Sequence, residues 1–281
     1  MKARVSQKVA FFMLTLCGLI VIAPIVMIIG VLIVRGAPAI NIEFLTQMPR
    51  AGMKEGGIFP AIVGTVLLVT GAVVVAVPLG VTCSIYITEY ARDNLFTRLV
   101  RLSIVNLAGV PSVVFGLFGL GLFVIFLKFG SSILSGSLTL AFLILPVIIT
   151  SSEEAIKAVP MAYREAALAL GATRLRMVVT VVLPNALSGI LTGSILGVSR
   201  AAGETAPILF TVAAFFLPRL PHSIFDQVMA LPYHLYIIST QVPNVPDEIK
   251  YGTALVLFAL VFGMNLVAIV IRNRIRKQKR W

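Results

Sequence analysis

Six apolar stretches constrain this chain more than anything else in it. They cover about residues 11–34, 59–87, 102–127, 133–150, 187–216 and 254–271. A helix crosses the ~30 Å hydrocarbon core of a bilayer with roughly 20 mostly apolar residues. Inside that core each backbone N–H and C=O must be satisfied within the protein. Runs of this length, repeated along one chain, predict an all-α membrane bundle of six spans. Composition agrees, since apolar residues make up 59% and charged residues only 12% of the 281.

The six stretches are not equally clear. The fourth is short, begins with Ser135, Ser137 and Thr139, and carries Pro146 near its end. A re-entrant segment is its alternative. The first is followed by Ala37-Pro38-Ala39, as a cleaved signal would be. Its apolar run exceeds the roughly 7–15 residues of a signal core, so a retained span is expected. Cys17 and Cys83 both fall within apolar runs and read as small buried hydrophobes, without disulfide or metal spacing.

The net charge of +12 raises nucleic acid as a partner, but the basic residues lie in tails and connections beside the spans. That is a topology signal, and no nucleic acid is expected. Sixteen of the 23 Lys and Arg fall in the two tails and two alternate connections, against six in the others and Arg200 within a span. The positive-inside rule then puts both termini in the cytoplasm, which requires an even number of spans. The expected organisation is an N-terminal tail (1–10), one membrane domain (11–271) and a basic tail (272–281). The domain carries an inner loop at about 151–185 and an outer loop at about 218–253. In the outer loop the spacing of Ile224, Phe225, Val228, Met229 and Leu231 predicts a helix, read as a cap over the bundle.

One pair of residues stands against its surroundings. Arg200 and Glu204 lie four apart near the middle of the fifth stretch, in Val-Ser-Arg-Ala-Ala-Gly-Glu-Thr-Ala-Pro. An Arg at mid-bilayer costs roughly 2.5–3.5 kcal/mol even on the lenient insertion scale, so it must face protein or water. On a helical wheel Arg200, Glu204 and Pro207 share an arc with Gly189, Gly193 and Gly197. Two readings follow. The glycines form a close-packed seam and the ion pair fixes register, or the glycines keep a pathway wide and the guanidinium fork meets an oxyanion. Intramembrane ionisable residues default to function, which favours the pathway. Glu204 then neutralises Arg200 in the empty state, or accepts a hydrogen from an anion that still carries a proton. Thr205, Asn106 and Ser112 are weaker pathway candidates. Asn106 and Ser112 flank Pro111, and satisfying the backbone that a proline frees accounts for them more simply.

The inner loop reads Glu-Glu-Ala-Ile-Lys-Ala-Val-Pro-Met-Ala-Tyr-Arg-Glu-Ala-Ala-Leu-Ala-Leu-Gly from Glu153. Pro160 opens and Gly171 closes a short helix at about 161–170, with Tyr163, Ala166, Ala167 and Leu170 grouped beside Arg164 and Glu165. So short a helix is marginal alone and needs a partner surface. Glu165-Ala166-Ala167, then Gly171, then Val181-x-Leu183-Pro184 resembles the EAA loop of bacterial ABC importer permeases, with Val181 where Ile is frequent. The resemblance implies a type I importer permease. In that family the loop docks a coupling helix on an ATPase subunit, which assigns Tyr163, Arg164, Glu165, Ala166, Ala167 and Gly171 to ATPase coupling. No Gly-x-x-x-x-Gly-Lys-Ser/Thr loop occurs in the chain, so ATP and Mg are expected on a separate partner, with no cofactor on this subunit.

The segments around Asn106–Phe118, Glu154–Pro160, Arg200–Pro207 and Met229–Tyr236 are similar to the A-type permease subunit of bacterial phosphate importers, the Pst system. That likeness implies a phosphate importer assembled with a second related permease, an ATPase homodimer and an external phosphate-binding protein, within the bacterial inner membrane. It makes Arg200 and Glu204 pathway residues. Sulfate or molybdate is the alternative cargo, and an ion-driven secondary transporter or channel without an ATPase is the alternative class. An enzyme is not expected. No Ser-His set or paired carboxylates lie at membrane depth, and His222 and His234 have no evident catalytic or metal partner.

Overall fold

The computed structural model describes residues 2–278, and the side chains of these except 2–6, 8–9 and 275–278. The tail residues Lys279 and Arg280, and the side chains of Lys2, Arg4, Lys8, Arg276 and Lys277, therefore lie outside the described residues. The chain is an all-α membrane protein. Among the described residues five helices are long and apolar enough to cross a bilayer, and six segments are if a bent pair counts as one span.

The centre of the bundle is α6 (Ile133–Lys157), the element that the sequence supports least. Its 25 residues reach about 37 Å, enough to span the hydrocarbon core. Its apolar window is 67% buried, more than that of any other span among the described residues. Ser132 caps it through Ser135 N–H (3.2 Å), Ser135 donates to Gly130 O and Ser137 to Leu68 O. The small hydroxyls that made this stretch look weak are therefore the means by which a central helix packs closely without leaving polar groups unpaired. The re-entrant alternative does not hold for α6.

The helix α3 (Phe59–Ile85) packs parallel to α6, with Gly71 against Ser137 and Gly80 against Ile148. A Cβ at these glycines would stand 2.5 and 2.6 Å from its neighbour. Beyond α3 one wider turn, Tyr86–Tyr90, closes with Ala91 N–H on Tyr86 O. α1 (Lys2–Gly36) has no buried residue in its apolar window. Its end meets α12 (Asp247–Gln278), where Gly36 faces the Tyr251 carbonyl and Arg35 lies over the Tyr251 ring. A short helix, α2 (Ile42–Thr46), and a two-stranded hairpin, β1 (Pro49–Arg50) with β2 (Glu55–Gly56), connect α1 to α3.

Three expectations are corrected. The third stretch is not one straight span. α4 (Leu95–Ala108) and α5 (Ser112–Gly119, extended by a wide turn to Phe126) meet at 105°. Pro111 supplies no N–H and disfavours helical backbone at Val110, so the ladder breaks there. The fifth stretch is also broken, into α9 (Leu183–Gly203) and α10 (Ala206–Thr211). The helix predicted in the outer loop from its apolar spacing does not form. Ser223–Asp226 is a turn held by the Asp226 carboxylate on the His222 and Ser223 N–H groups, and Val228 pairs in parallel with Ala213. The helix of that region is α11 (Leu231–Thr240), which begins where Leu231 N–H meets Thr65 Oγ1 at 2.8 Å.

Candidate functional site

Two regions bear on function: the middle of α9 and the loop between α6 and α9. α9 runs antiparallel to α6. Gly189 lies on Ala155, Gly193 on Ser151 and Gly197 on Ile148. Continuing this register puts Arg200 level with about Ile144, near the middle of α6. The same contacts correct the pathway reading of the glycines. A Cβ at Gly193 would stand 2.3 Å from Ser151 Cβ, and one at Gly189 2.5 Å from Ala155 Cβ. These glycines bring two helices of one subunit together and do not widen a channel.

The helix ends one residue before Glu204, which is extended (φ −75°, ψ 133°). The wheel positions of Glu204 and Pro207 therefore do not apply. The ion pair forms nonetheless, with Arg200 Nε 3.4 Å from Glu204 Oε1 and side-chain exposures of 33% and 18%. That bond uses one N–H of the guanidinium, and among the described residues no partner is seen for the others. The remaining N–H groups of the fork are thus open, at a depth where unmet polar groups are expensive. Thr205 follows in the break, half-buried, without capping α10.

The second break comes to the same depth. Gly116 of α5 lies against Ala206, Pro207 and Phe210 of α10, and Ser112 is one turn below it. The α4–α5 corner thus stands beside the α9–α10 break. Asn106 is exposed at this corner and Ser112 half-buried, and neither side chain bonds the Arg200–Glu204 pair. Breaks leave backbone groups outside any helical ladder, which is tolerated at membrane depth only where protein or a water-filled cavity meets them.

At the loop, α7 (Met161–Ala169) follows Pro160 and is stopped by Gly171 at φ +82°, a left-handed conformation that favours glycine. A single-turn helix, α8 (Arg174–Met177), leads on toward α9. Tyr163, Glu165, Ala166 and Gly171 are exposed, and Ala167 is half-buried. Arg164 differs. It is 8% exposed and turned inward, its guanidinium on Glu89 in the wide turn that continues α3 and on the carbonyls of Ile156 and Val159. Beside it Glu153 is buried and ion-paired to Arg101 (3.0 Å) and Lys157 (2.9 Å).

Sequence reasoning missed Glu89, Glu153 and Arg101. A carboxylate just past an apolar run, as in Ile-Thr-Glu-Tyr, is a weak local signal. Its partner Arg164 lies 75 residues away, a separation that no periodicity spans.

The family described as "Binding-protein-dependent transport system inner membrane component" matches residues 76–280. The chain is 34% identical over 282 residues to the "Probable ABC transporter permease protein YqgI" of Bacillus subtilis, covering 95% of each. It is 35% identical to the "Phosphate transport system permease protein PstA" of Mycobacterium leprae, covering 96% of this chain and 90% of that one. Its fold is similar to that of a bacterial ABC transporter involved in the import of the acidic polysaccharide alginate, with a TM-score of 0.67, 13% identity and 94% of each chain covered. At that identity the structural likeness shows a fold, and it is the fold of a type I ABC importer permease. The matched residues include the bent α4–α5 pair, the α7 loop and the Arg200 break, and the chain belongs to the family of inner-membrane components of binding-protein-dependent transport systems.

Proposed function

We propose that the chain is the permease subunit of an ATP-driven importer of inorganic phosphate. The observation that carries the cargo is the half-open guanidinium of Arg200 at mid-depth, in a chain similar along nearly its whole length to permeases named for phosphate transport. Guanidinium N–H groups suit the oxygens of a tetrahedral anion. Glu204, holding Arg200 from one side, neutralises it when no anion is present. A carboxylate there also favours an anion that still carries a proton, as phosphate does near neutral pH and sulfate does not. Thr205, Asn106 and Ser112 border the same depth and are the further candidates for the path.

Energy enters through the loop. MgATP is bound and hydrolysed by a separate ATPase homodimer, and no cofactor sits on this chain. The exposed Tyr163, Glu165, Ala166 and Gly171 form the surface that such a subunit grips. The α7 end of the bundle then faces the cytoplasm, with both termini on that side. The meeting of α1 and α12 at the opposite end, Gly36 against Tyr251, supports this orientation. A second related permease completes the pathway and an external phosphate-binding protein delivers the anion. Closing of the ATPase dimer switches the region around Arg200 from outward-facing to inward-facing.

The test is ATP-dependent uptake of labelled phosphate by the complete complex in liposomes, native against Arg200→Gln, with sulfate and molybdate as competitors. Uptake of phosphate alone, lost in the variant while basal ATP hydrolysis persists, is the expected result. Unchanged uptake in the variant removes Arg200 from the path. Native uptake of sulfate or molybdate in place of phosphate overturns the cargo, and uptake without ATP overturns the class.

A further inference from the structure

The inward turn of Arg164 separates it from the rest of the loop. α7 has nine residues, is hinged at Pro160 on one side and at Gly171 on the other, and exposes most of its side chains. It does not lie flush on the bundle. A cleft of about 530 Å3, lined among others by Thr88, Glu89, Lys157, Met161 and Arg164, opens between them. Ala167 of α7 packs on the apolar cluster around Ile156 and Met177, and Arg164 is the side chain that spans the gap with polar contacts. Arg164 Nε and Nη2 both reach Glu89 Oε1, at 3.1 and 2.8 Å. Nη2 also donates to Ile156 O at 2.8 Å, and Nη1 donates to Val159 O. Among the described residues no other α7 side chain hydrogen-bonds to the bundle. The partners belong to two different segments, Glu89 to the wide turn that continues α3 and Ile156 to α6.

We infer that the buried Glu89–Arg164 pair is the mechanical joint of the subunit, carrying displacement of α7 across the cleft into α3 and α6 and from there to the Arg200 break. The inference rests on the proposed coupling to an ATPase. Its physical basis is stiffness at every step after the joint. α3 meets α6 at Gly71 and Gly80, and α6 meets α9 at Gly189 and Gly193, with no room for a methyl group at any of the four. Helices in such contact move together or not at all, because packed interiors transmit strain. The weak step is the cleft, and the ion pair bridges it. Arg164 is in this account a positioning residue and not a contact to the ATPase. Glu89 becomes a functional residue that its position at a span end does not announce.

The test uses the complete complex in a Cys17→Ser, Cys83→Ala, Gly203→Cys background. Gly203 is exposed beside the break and has nothing within 4 Å, so a thiol there is tolerated and reachable. The readouts are co-purification of the ATPase, ATP hydrolysis, and the rate of thiol modification at position 203 with and without ATP. With Glu89 and Arg164 present, ATP is expected to change that rate by about fivefold or more, the lower range of allosteric coupling. In Glu89→Gln the ATPase stays bound and hydrolysis stays within about twofold, while the ATP-driven change falls toward unity, the limit of lost coupling. Arg164→Lys, which keeps a charge on Glu89 but loses the fork, recovers part of it. Glu89→Gln with the full ATP-driven change and intact hydrolysis overturns the joint. Loss of the ATPase from the purified Glu89→Gln complex also overturns it, since the pair then only holds α7 in place for docking. The readout does not involve cargo, so a complex that couples ATP to position 203 yet imports no phosphate fails the cargo assignment and leaves the joint standing.

Discussion

Gly193 decides between a packed seam and an open path. A Cβ built there would lie 2.3 Å from Ser151 Cβ and 2.6 Å from Ser151 Oγ. Carbon atoms in contact settle at about 3.5–4.0 Å, so Gly193→Ala must open the α6–α9 seam by more than about 1 Å. α6 has no room to retreat on its other side. There Gly71 and Gly80 of α3 hold Ser137 and Ile148 just as closely. Overpacking of this kind costs about 1–3 kcal/mol, and with both sides braced the upper end is expected. Two controls bracket it. A Cβ at Gly197 would meet Ile148 Cδ1 and Cγ1 at 3.3 Å and Ile144 Cβ at 3.6 Å, a far milder approach than at Gly193, so Gly197→Ala should cost less than about 1 kcal/mol. Gly263 has nothing within 4 Å, so Gly263→Ala should be neutral or gain up to about 1 kcal/mol from helix propensity. The assay is thermal or denaturant unfolding of the purified complex, with a double-mutant cycle through Ser151→Gly. Relief of the Gly193→Ala penalty by Ser151→Gly, with a coupling of about 1 kcal/mol or more, is the expected result. A Gly193→Ala protein as stable as the native one, with additive mutations, would refute the seam and restore the reading of these glycines as pathway spacers.

Other outcomes follow from single contacts. Thr65→Val removes the acceptor for Leu231 N–H, leaving a buried donor unpaired, and should cost about 1–3 kcal/mol, whereas Thr65→Ser should be nearly neutral. Unfolding of the two variants against native checks this. Gly171→Ala forces a side chain into φ +82° with no steric neighbour, so about 1–2 kcal/mol is lost from α7 alone. Faster proteolysis or amide exchange of the loop, with the global transition unchanged, is the sign to look for. His234, in α11 between spans, is fully buried, and burial lowers its pKa to about 4. The unfolded chain then binds a proton that the folded one refuses, so stability is complete above about pH 6.5 and falls toward pH 4, by roughly 3 kcal/mol at most. His234→Gln should flatten that slope in a pH series of unfolding curves.

Chain chemistry alone determined the solvent and the class. Apolar runs of this length can satisfy their backbone in lipid only as helices, and that holds whatever their neighbours are. It likewise determined the loop helix, because Pro160 and Gly171 act within their own turns, and it marked Arg200 because a charge at such depth is costly anywhere. What it could not determine depended on contacts between distant segments. Ser135, Ser137 and Thr139 looked like weakness in a span until α3 and the Gly130 backbone were beside them. The wheel that joined Glu204 to the glycine stripe assumed one continuous helix, and the break after Gly203 ended that assumption. Gly189, Gly193 and Gly197 serve a seam or a path with equal ease on one strand of sequence, and only α6 lying against them chooses. Arg164 reads as one of several charged loop residues until Glu89, 75 positions earlier, is found beside it. Local rules reach about one turn, while packing joins residues whose separation in the chain carries no information about their distance in space.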